Sequence, residues 1–136
     1  TIKKRDFWMP FTPSILKKFA DKYVLNPKNI PSSFMTTCYD TTEIGKKHLR
    51  AAIHPYDFTV RPQIVTKKTC PAYYMLIEKF HKKTGIGGLL NTSLNIHDKP
   101  IVCQPLDIIN EILKNNNKAI NYIYVQDTLY KRKIKN

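Results

Sequence analysis

Hydrophobic and polar positions along this chain follow patterns that predict both helices and strands. Apolar residues at helical spacing predict three main helices, which begin at Ser14, Pro71 and Pro105, and Gly85 ends the second. Short apolar or β-branched runs predict strands at residues 33–39, 58–65, 86–90 and 119–125. Because helices and strands interleave, the sequence predicts a single α/β domain in which helices flank a mixed, twisted sheet.

Proline and polar residues predict the segments between these elements. Pro10 and Pro13 predict an irregular entry over residues 1–13, and residues 26–31 predict a loop. Residues 41–50 predict a short exposed helix, residues 91–95 a polar turn, and the basic residues 131–135 a frayed tail.

Length and composition narrow the class of protein. The 136 residues with 42% hydrophobic content suit one folded domain. No run approaches the roughly 20 apolar residues that a membrane-spanning helix needs, and no signal peptide is visible, so we expect a cytoplasmic protein. The first residue is Thr rather than Met, and we expect the chain to be part of a longer one.

The cysteines and histidines argue against disulfide and metal sites. Three separated cysteines, Cys38, Cys70 and Cys103, suit a reducing compartment, and we expect each to be a small buried hydrophobic residue. Neither they nor the four histidines show the spacing of a metal site. We therefore expect no metal bound by this chain alone.

The net charge of +13 has two explanations. Such a positive field attracts polyanions, which include nucleotides, phosphates and nucleic acid. Alternatively, the abundant lysines form a solvated surface of the kind expected from an AT-rich genome. Composition alone leaves both open.

Two segments carry residues suited to anion binding. The turn at residues 91–95 follows a predicted buried strand, and the carboxyl end of a strand in an α/β sheet is where ligands bind. Arg61 lies between Val60 and Pro62 in a predicted strand, and its planar guanidinium suits phosphate or carboxylate. An ordinary polar turn and a structural arginine are the alternatives.

Three segments resemble the C-terminal domain of the O-carbamoyltransferases, a family that includes nodulation proteins of the NodU type and enzymes that carbamoylate cephamycin and tobramycin-type antibiotics. Residues 2–14, IKKRDFWMPFTPS, are close to I-K-x-R-E-x-W-R-P-F-A-P-S. Residues 54–65 are similar to H-V-D-G-T-A-R-V-Q-T-V, with His54, Asp57, Arg61, Gln63 and Val65 matching. Residues 85–95 and 99–107 resemble T-G-x-P-x-L-L-N-T-S-F-N and G-E-P-I-V-C-T-P-E-D.

The resemblance implies a YrdC-like fold and one half of a two-part enzyme. This domain would take ATP as co-substrate and carbamoyl phosphate, and would form carbamoyl-adenylate. A preceding actin/Hsp70-like domain, expected to be absent here, would use a divalent metal ion to transfer the carbamoyl group to a hydroxyl of the acceptor. The full-length protein is a possible homodimer.

The resemblance also assigns site residues. Lys3, Arg61 and Ser93 match catalytic positions, and the expected substrate-binding residues are Arg5, His54, Asn91, Thr92 and Asn95. Two departures stand out: Met9 replaces an arginine and Phe58 replaces a glycine. The alternatives are a basic YrdC-like module that binds nucleic acid, and a degenerate domain kept for structure.

Overall fold

The computed structural model describes residues 3, 6, 8–113 and 120–132, and the side chains of 111–113 are not part of that description. The chain forms two compact units. One consists of Phe7–Thr92, and the other combines Thr1–Asp6 with Ser93–Asn136.

A mixed three-stranded sheet lies at the centre of the Phe7–Thr92 unit. Strand β1, Thr12–Leu16, is the middle strand. It runs parallel to β4, Gln63–Val65, and antiparallel to β5, Gly88–Asn91. The register places Ser14 beside Gln63 on one side, and Thr12 beside Asn91 on the other.

Shorter elements surround this sheet. The pair β2, Val24–Leu25, and β3, Asp40–Thr41, is antiparallel. The helices are a 3-10 turn at Lys17–Phe19, α1 at Ala20–Tyr23, α2 at Glu43–His48, a second 3-10 turn at Arg50–Ala52, and α3 at Pro71–Thr84.

Both faces of β1 are buried, because successive residues of a strand face opposite sides of a sheet. Ile15 belongs to a core cluster on one side, together with Tyr23, Val24, Tyr39, Leu49, Ile53 and Val60. Leu16, on the other side, packs with Val65 and with Ile77 of α3. Helices therefore cover the sheet on both faces, and the predicted α/β class with a mixed sheet is confirmed. The YrdC-like likeness stays a prediction.

Local sequence explains the two longest helices of this unit. The Thr42 hydroxyl accepts a hydrogen bond from the Gly45 N–H at 2.9 Å, which caps α2. Pro71 occupies the first turn of α3, and Gly85 ends that helix with φ 75°. The helices predicted at residues 41–50 and from Pro71 to Gly85 are thus confirmed.

The second unit contains a short helix and a hairpin. Helix α4, Pro105–Asp107, has a capping box formed by Gln104 and Asp107, and continues as a π-helix at Ile108–Leu113. Strands β6, Tyr122–Val125, and β7, Thr128–Lys131, pair antiparallel. The predicted tail is wrong at its start, because Lys131 lies in β7 and the Arg132 N–H donates to the Asn121 carbonyl at 2.9 Å. Residues 133–135 lie outside the described residues.

The predicted helix start at Ser14 is wrong, and so is the irregular character of residues 12 and 13. Pro13 lacks a backbone donor, which argues against a central strand. Its fixed φ nevertheless suits extended backbone. The helical spacing of the apolar residues arises because a strand, a 3-10 turn and α1 follow one another within twelve residues, Thr12–Tyr23.

The strand predicted at residues 33–39 does not form, and the one predicted at 58–65 is shorter. Met35 and Phe58 have positive φ values of 60° and 59°, which an extended strand does not allow. Between these segments only an isolated bridge joins Tyr39 to Val60. Strand β4 begins after Pro62, where the ladder resumes.

Candidate functional site

Lys3 lies against the loop that begins at Ser93. Its residue exposure is only 8%. Its Nζ donates to the Ser93 carbonyl at 2.5 Å, to the Ser93 hydroxyl at 3.3 Å and to Asn95 Oδ1 at 2.6 Å. A buried ammonium is costly unless oxygen atoms replace its water, and these contacts supply that replacement. The loop is therefore built around a buried positive charge.

Asn95 joins the parts of this cluster. Its Oδ1 accepts from the Ser93 hydroxyl at 2.6 Å as well as from Lys3, and its Nδ2 donates to the Lys99 carbonyl at 2.8 Å. The Lys3 carbonyl accepts from the His97 N–H at 3.0 Å. The structure thus brings Lys3 to Ser93 and Asn95, which lie 90 and 92 residues away in the sequence. Their chemical roles stay predictions.

A cavity of about 250 Å³ in the Phe7–Thr92 unit has Arg61 in its wall. Its lining includes Phe11, Cys38, His54 and Thr59. Arg61 is exposed and lies outside a regular strand, contrary to the expectation of a mid-strand position, because the ladder is interrupted between Val60 and β4. The cavity combines a guanidinium, an imidazole and an aromatic ring.

His54 is held in a tight turn beside Asp57. Its Nδ1 lies 3.1 Å from Asp57 Oδ1. The Thr59 N–H and hydroxyl donate to the same carboxyl oxygen at 2.9 and 2.8 Å. These hydrogen bonds, with a smaller contribution from His54, lower the pKa of Asp57 below its usual value. An ionised Asp57 therefore lies beside the imidazole at the cavity wall, and the Tyr56 and Asp57 N–H groups lie 3.4 Å from the same Nδ1.

Asn91 takes part in a network that crosses the sheet. Its Nδ2 donates to Gln63 Oε1 at 3.1 Å and contacts Met35 Sδ at 3.5 Å. The Ser14 hydroxyl donates to the same Gln63 oxygen at 2.7 Å. Thr12 donates to the Asn91 carbonyl at 3.2 Å. Asn91, on β5, is thus positioned by side chains from the other two strands of the sheet.

The structure says less about the two remaining predicted site residues, Thr92 and Arg5. Thr92 is exposed directly after β5, and Arg5 lies outside the described residues. The structure groups Lys3 with Ser93 and Asn95 in one unit, and Arg61 with His54 in the other. Convergence of Lys3, Arg61 and the turn at residues 91–93 into one anion pocket stays a prediction.

The expectation of buried cysteines is wrong. Cys38, Cys70 and Cys103 are all exposed. Each lies at the border of an element instead of inside one: Cys38 shortly before β3, Cys70 at the N-cap of α3, and Cys103 next to the N-cap of α4. Hydrophobic character alone does not bury a residue at such a border.

The described residues contain neither a membrane-spanning helix nor a cluster of metal ligands. No helix among them is long and apolar enough to cross a membrane. Nor does that part of the chain place three or more His, Cys, Asp or Glu side chains where they could hold a metal ion.

Comparison with known families decides what kind of chain this is. The model of the family described as carbamoyltransferase C-terminus matches residues 1–132. This chain belongs to the carbamoyltransferase C-terminal family. The resemblance inferred from the three segments is therefore confirmed, and it extends over nearly the whole carbamoyltransferase C-terminal chain.

Relatives of this carbamoyltransferase C-terminal chain are much longer than it is. It is 40% identical over 123 residues to an uncharacterized protein of Methanocaldococcus jannaschii, covering 88% of this chain and 23% of that protein. It is 37% identical over 115 residues to nodulation protein NolO of Bradyrhizobium diazoefficiens (82% and 20%). The corresponding values for nodulation protein NolNO of Sinorhizobium fredii are 34% over 113 residues (82% and 16%). The chain thus spans less than a quarter of these relatives.

In this carbamoyltransferase C-terminal chain, Phe58 replaces the glycine of the family motif, and this replacement has a structural consequence. Phe58 keeps the left-handed backbone, at φ 59°, that a glycine adopts freely. Its N–H donates to the His54 carbonyl at 3.1 Å, and its carbonyl accepts from the Thr41 hydroxyl at 2.6 Å. Lys46 Nζ lies 5.2 Å from the ring centre. These contacts stabilise the turn that carries His54, in which Phe58 adopts the left-handed backbone conformation typical of glycine.

Sequence reasoning missed the place of Gln63 in this hydrogen-bond network. Its side chain is one matching position of a motif, with no role attached to it. In the sequence, Gln63 is marked only by its position beside alternating apolar residues. Its hydrogen-bond partners Asn91 and Ser14 lie 28 and 49 residues away along the chain. Strand pairing, which the sequence does not reveal, makes it the centre of the network.

Proposed function

We propose that this chain is the part of an O-carbamoyltransferase that binds ATP and carbamoyl phosphate and forms carbamoyl-adenylate. The observation that carries the proposal is the buried Lys3 with its contacts to Ser93 and Asn95, in a chain that matches the carbamoyltransferase C-terminus over residues 1–132. A buried lysine joined to a polar loop supplies a fixed positive charge, which suits a site for phosphates.

The proposed reaction has two balanced steps. Water attacks carbamoyl phosphate, which releases inorganic phosphate and leaves carbamate. A carbamate oxygen then attacks the α-phosphorus of ATP, a new P–O bond forms, and the bond to the β-phosphate breaks to release pyrophosphate. Negative charge accumulates during this attack, and fixed cations stabilise it without rearrangement. No covalent enzyme intermediate is required.

Each predicted site residue has a proposed role that follows from its chemistry. Lys3, Arg61 and Arg5 supply positive charge for the phosphates. The Ser93 hydroxyl contacts the adenylate, and Thr92 and His54 add polar contacts around it. The carboxamides of Asn91 and Asn95 lie close in sequence to Ser93, and Asn91 offers an acceptor for the carbamoyl amine. The loss of the arginine at position 9 removes one cation, and Arg5 compensates for it in this proposal.

Transfer to the acceptor belongs to another region of the longer protein. We propose that an actin/Hsp70-like domain with a divalent metal ion passes the carbamoyl group from the adenylate to a hydroxyl of a sugar or natural product. The lengths of the relatives, of which this chain covers less than a quarter, support such a second region. Homodimerisation of the longer protein is part of the same proposal.

Pyrophosphate release by the protein at its full natural length tests this function. With ATP and carbamoyl phosphate we expect steady release, and a decrease of at least roughly 100-fold for Arg61→Ala or Ser93→Ala, a loss typical of removing one fixed stabilising group. Arg50→Ala and Ser33→Ala are matched controls, because both residues are exposed and lie outside the two proposed groups. Unchanged release in Arg61→Ala and Ser93→Ala would remove the site assignment.

The net charge of +13 favours one alternative, a basic module that binds nucleic acid. Filter binding of RNA at two salt concentrations separates the two functions, because binding through phosphate contacts weakens steeply as salt rises. A degenerate domain would show neither heat nor stabilisation with ATP analogues in calorimetry.

A further inference from the structure

Gln63, on the edge strand β4, accepts hydrogen bonds from the other two strands of the sheet, which come from distant parts of the chain. Ser14 on β1 and Asn91 on β5 both donate to its Oε1, at 2.7 and 3.1 Å. Ser14 has no exposed surface, so its hydroxyl makes this hydrogen bond away from water. One carboxamide oxygen is thus fixed from the buried side and in turn fixes the amide of Asn91.

The contacts of Asn91 determine which way its amide is turned. Its Nδ2 has two hydrogens, and it has two acceptors, Gln63 Oε1 and Met35 Sδ. Its Oδ1 lies on the opposite side of the amide and receives no hydrogen bond from the residues that the structure describes. While Gln63 Oε1 accepts from Ser14, an Asn91 amide rotated by 180° would place its own oxygen against that of Gln63, which is repulsive. The network therefore presents Oδ1 as an acceptor.

We infer that Gln63 is a positioning residue, which holds Asn91 so that Asn91 Oδ1 accepts a hydrogen bond from the amine of the carbamoyl group. This inference rests on the proposed function and adds the source of its selectivity. Acetyl phosphate has a methyl group where carbamoyl phosphate has NH₂, so it gains nothing from an acceptor. Selection between the two acyl phosphates then depends on the orientation of Asn91.

The inference separates Gln63 from residues that only stabilise the fold. Replacing Gln63 by Leu removes the acceptor of both hydrogen bonds and lets the Asn91 amide rotate. Replacing it by Glu keeps an oxygen at the Oε1 position, so Ser14 and Asn91 still have their acceptor. The added negative charge of Glu weakens both acyl phosphates together and leaves their ratio unchanged.

The test measures selectivity in the protein at its full natural length. From pyrophosphate release we obtain the KM for carbamoyl phosphate and the inhibition constant of acetyl phosphate. In Gln63→Leu the KM rises and the acetyl phosphate constant stays constant. The ratio of the acetyl phosphate constant to the KM therefore falls by roughly 3- to 10-fold, the effect of one neutral hydrogen bond. Gln63→Glu retains the ratio of the unmodified protein.

Val65→Ala is the matched control for stability. Val65 lies on the same strand, is 3% exposed, and belongs to the core cluster with Leu16 and Ile77. This variant loses stability and keeps the ratio.

Three outcomes would overturn the inference, and the first two are distinguishable from the third. An unmodified protein that prefers carbamoyl phosphate, with the same preference in Gln63→Leu, ends the role of Gln63 and leaves the proposed function intact. The same applies to a Gln63→Glu variant that loses as much selectivity as Gln63→Leu. An unmodified protein that releases no pyrophosphate with carbamoyl phosphate ends the proposed function and the inference together.

Discussion

Replacing Tyr23 by Phe removes one hydroxyl from the centre of the fold. Tyr23 has no exposed surface, and its oxygen accepts a hydrogen bond from the Gly87 N–H at 2.9 Å. Gly87 directly precedes β5, and its carbonyl accepts from the Leu16 N–H at 3.1 Å. The hydroxyl therefore connects α1 to the point where β5 joins the sheet.

The loss of stability in Tyr23→Phe depends on the groups that remain after the hydroxyl is removed. The ring remains, so almost no cavity forms, but the buried Gly87 N–H loses its acceptor. A buried donor without an acceptor lowers the free energy of unfolding by about 1–3 kcal/mol. For a chain of 136 residues this corresponds to a decrease in Tm of about 3–5 °C per kcal/mol.

Urea unfolding followed by circular dichroism measures this loss. We expect the midpoint to fall while the slope m stays constant, because the surface exposed on unfolding is nearly the same. Tyr56→Phe is the control, since Tyr56 is 88% exposed. A Tyr23→Phe midpoint equal to that of the control would show that the Gly87 N–H finds another partner, and would refute the reasoning.

Three further predictions concern packing, charge and thiols. Gly45→Ala places a Cβ against the backbone carbonyl of Tyr23, which no side-chain rotation relieves, so the free energy of unfolding falls by about 1–3 kcal/mol in the same urea assay. The Lys18–Glu78 ion pair, at 2.6 Å, lowers the pKa of Glu78 and raises that of Lys18. Its stabilisation is present between the ordinary pKa values of the two groups, 4.5 and 10.5, and is lost as pH falls through the folded pKa of Glu78 or rises through that of Lys18. Glu78→Gln therefore differs from the unmodified protein at neutral pH, and the difference shrinks in acid; a difference constant with pH contradicts this. All three thiols are expected to react with Ellman's reagent without denaturant, and protection of all three would contradict their exposure.

Helix α3 is an element whose start and end could be predicted from local sequence. Pro71 at its first turn and Gly85 at its end bound a helix whose start and stop depend on backbone preferences of single residues. The same applies to α2, which Thr42 caps. Because such signals involve neighbours within a few positions, the order of residues alone is enough to reveal them.

The grouping of some candidate site residues followed from the sequence motifs, while their chemical roles stay predictions. Motif positions named Lys3, Ser93 and Asn95, and the structure joins them by hydrogen bonds. The motif gave Gln63 no role, because that role depends on which strands are neighbours.

By itself, the sequence determined the α/β class, the start and end of α3, the large positive charge and the membership of a carbamoyltransferase family. Only the tertiary structure decided that residues 12–16 form the central strand, that the cysteines are exposed, and that Ser14, Gln63 and Asn91 meet. Strand pairing and burial are set by contacts between residues far apart in the chain, and a periodic pattern of apolar residues fits more than one such arrangement.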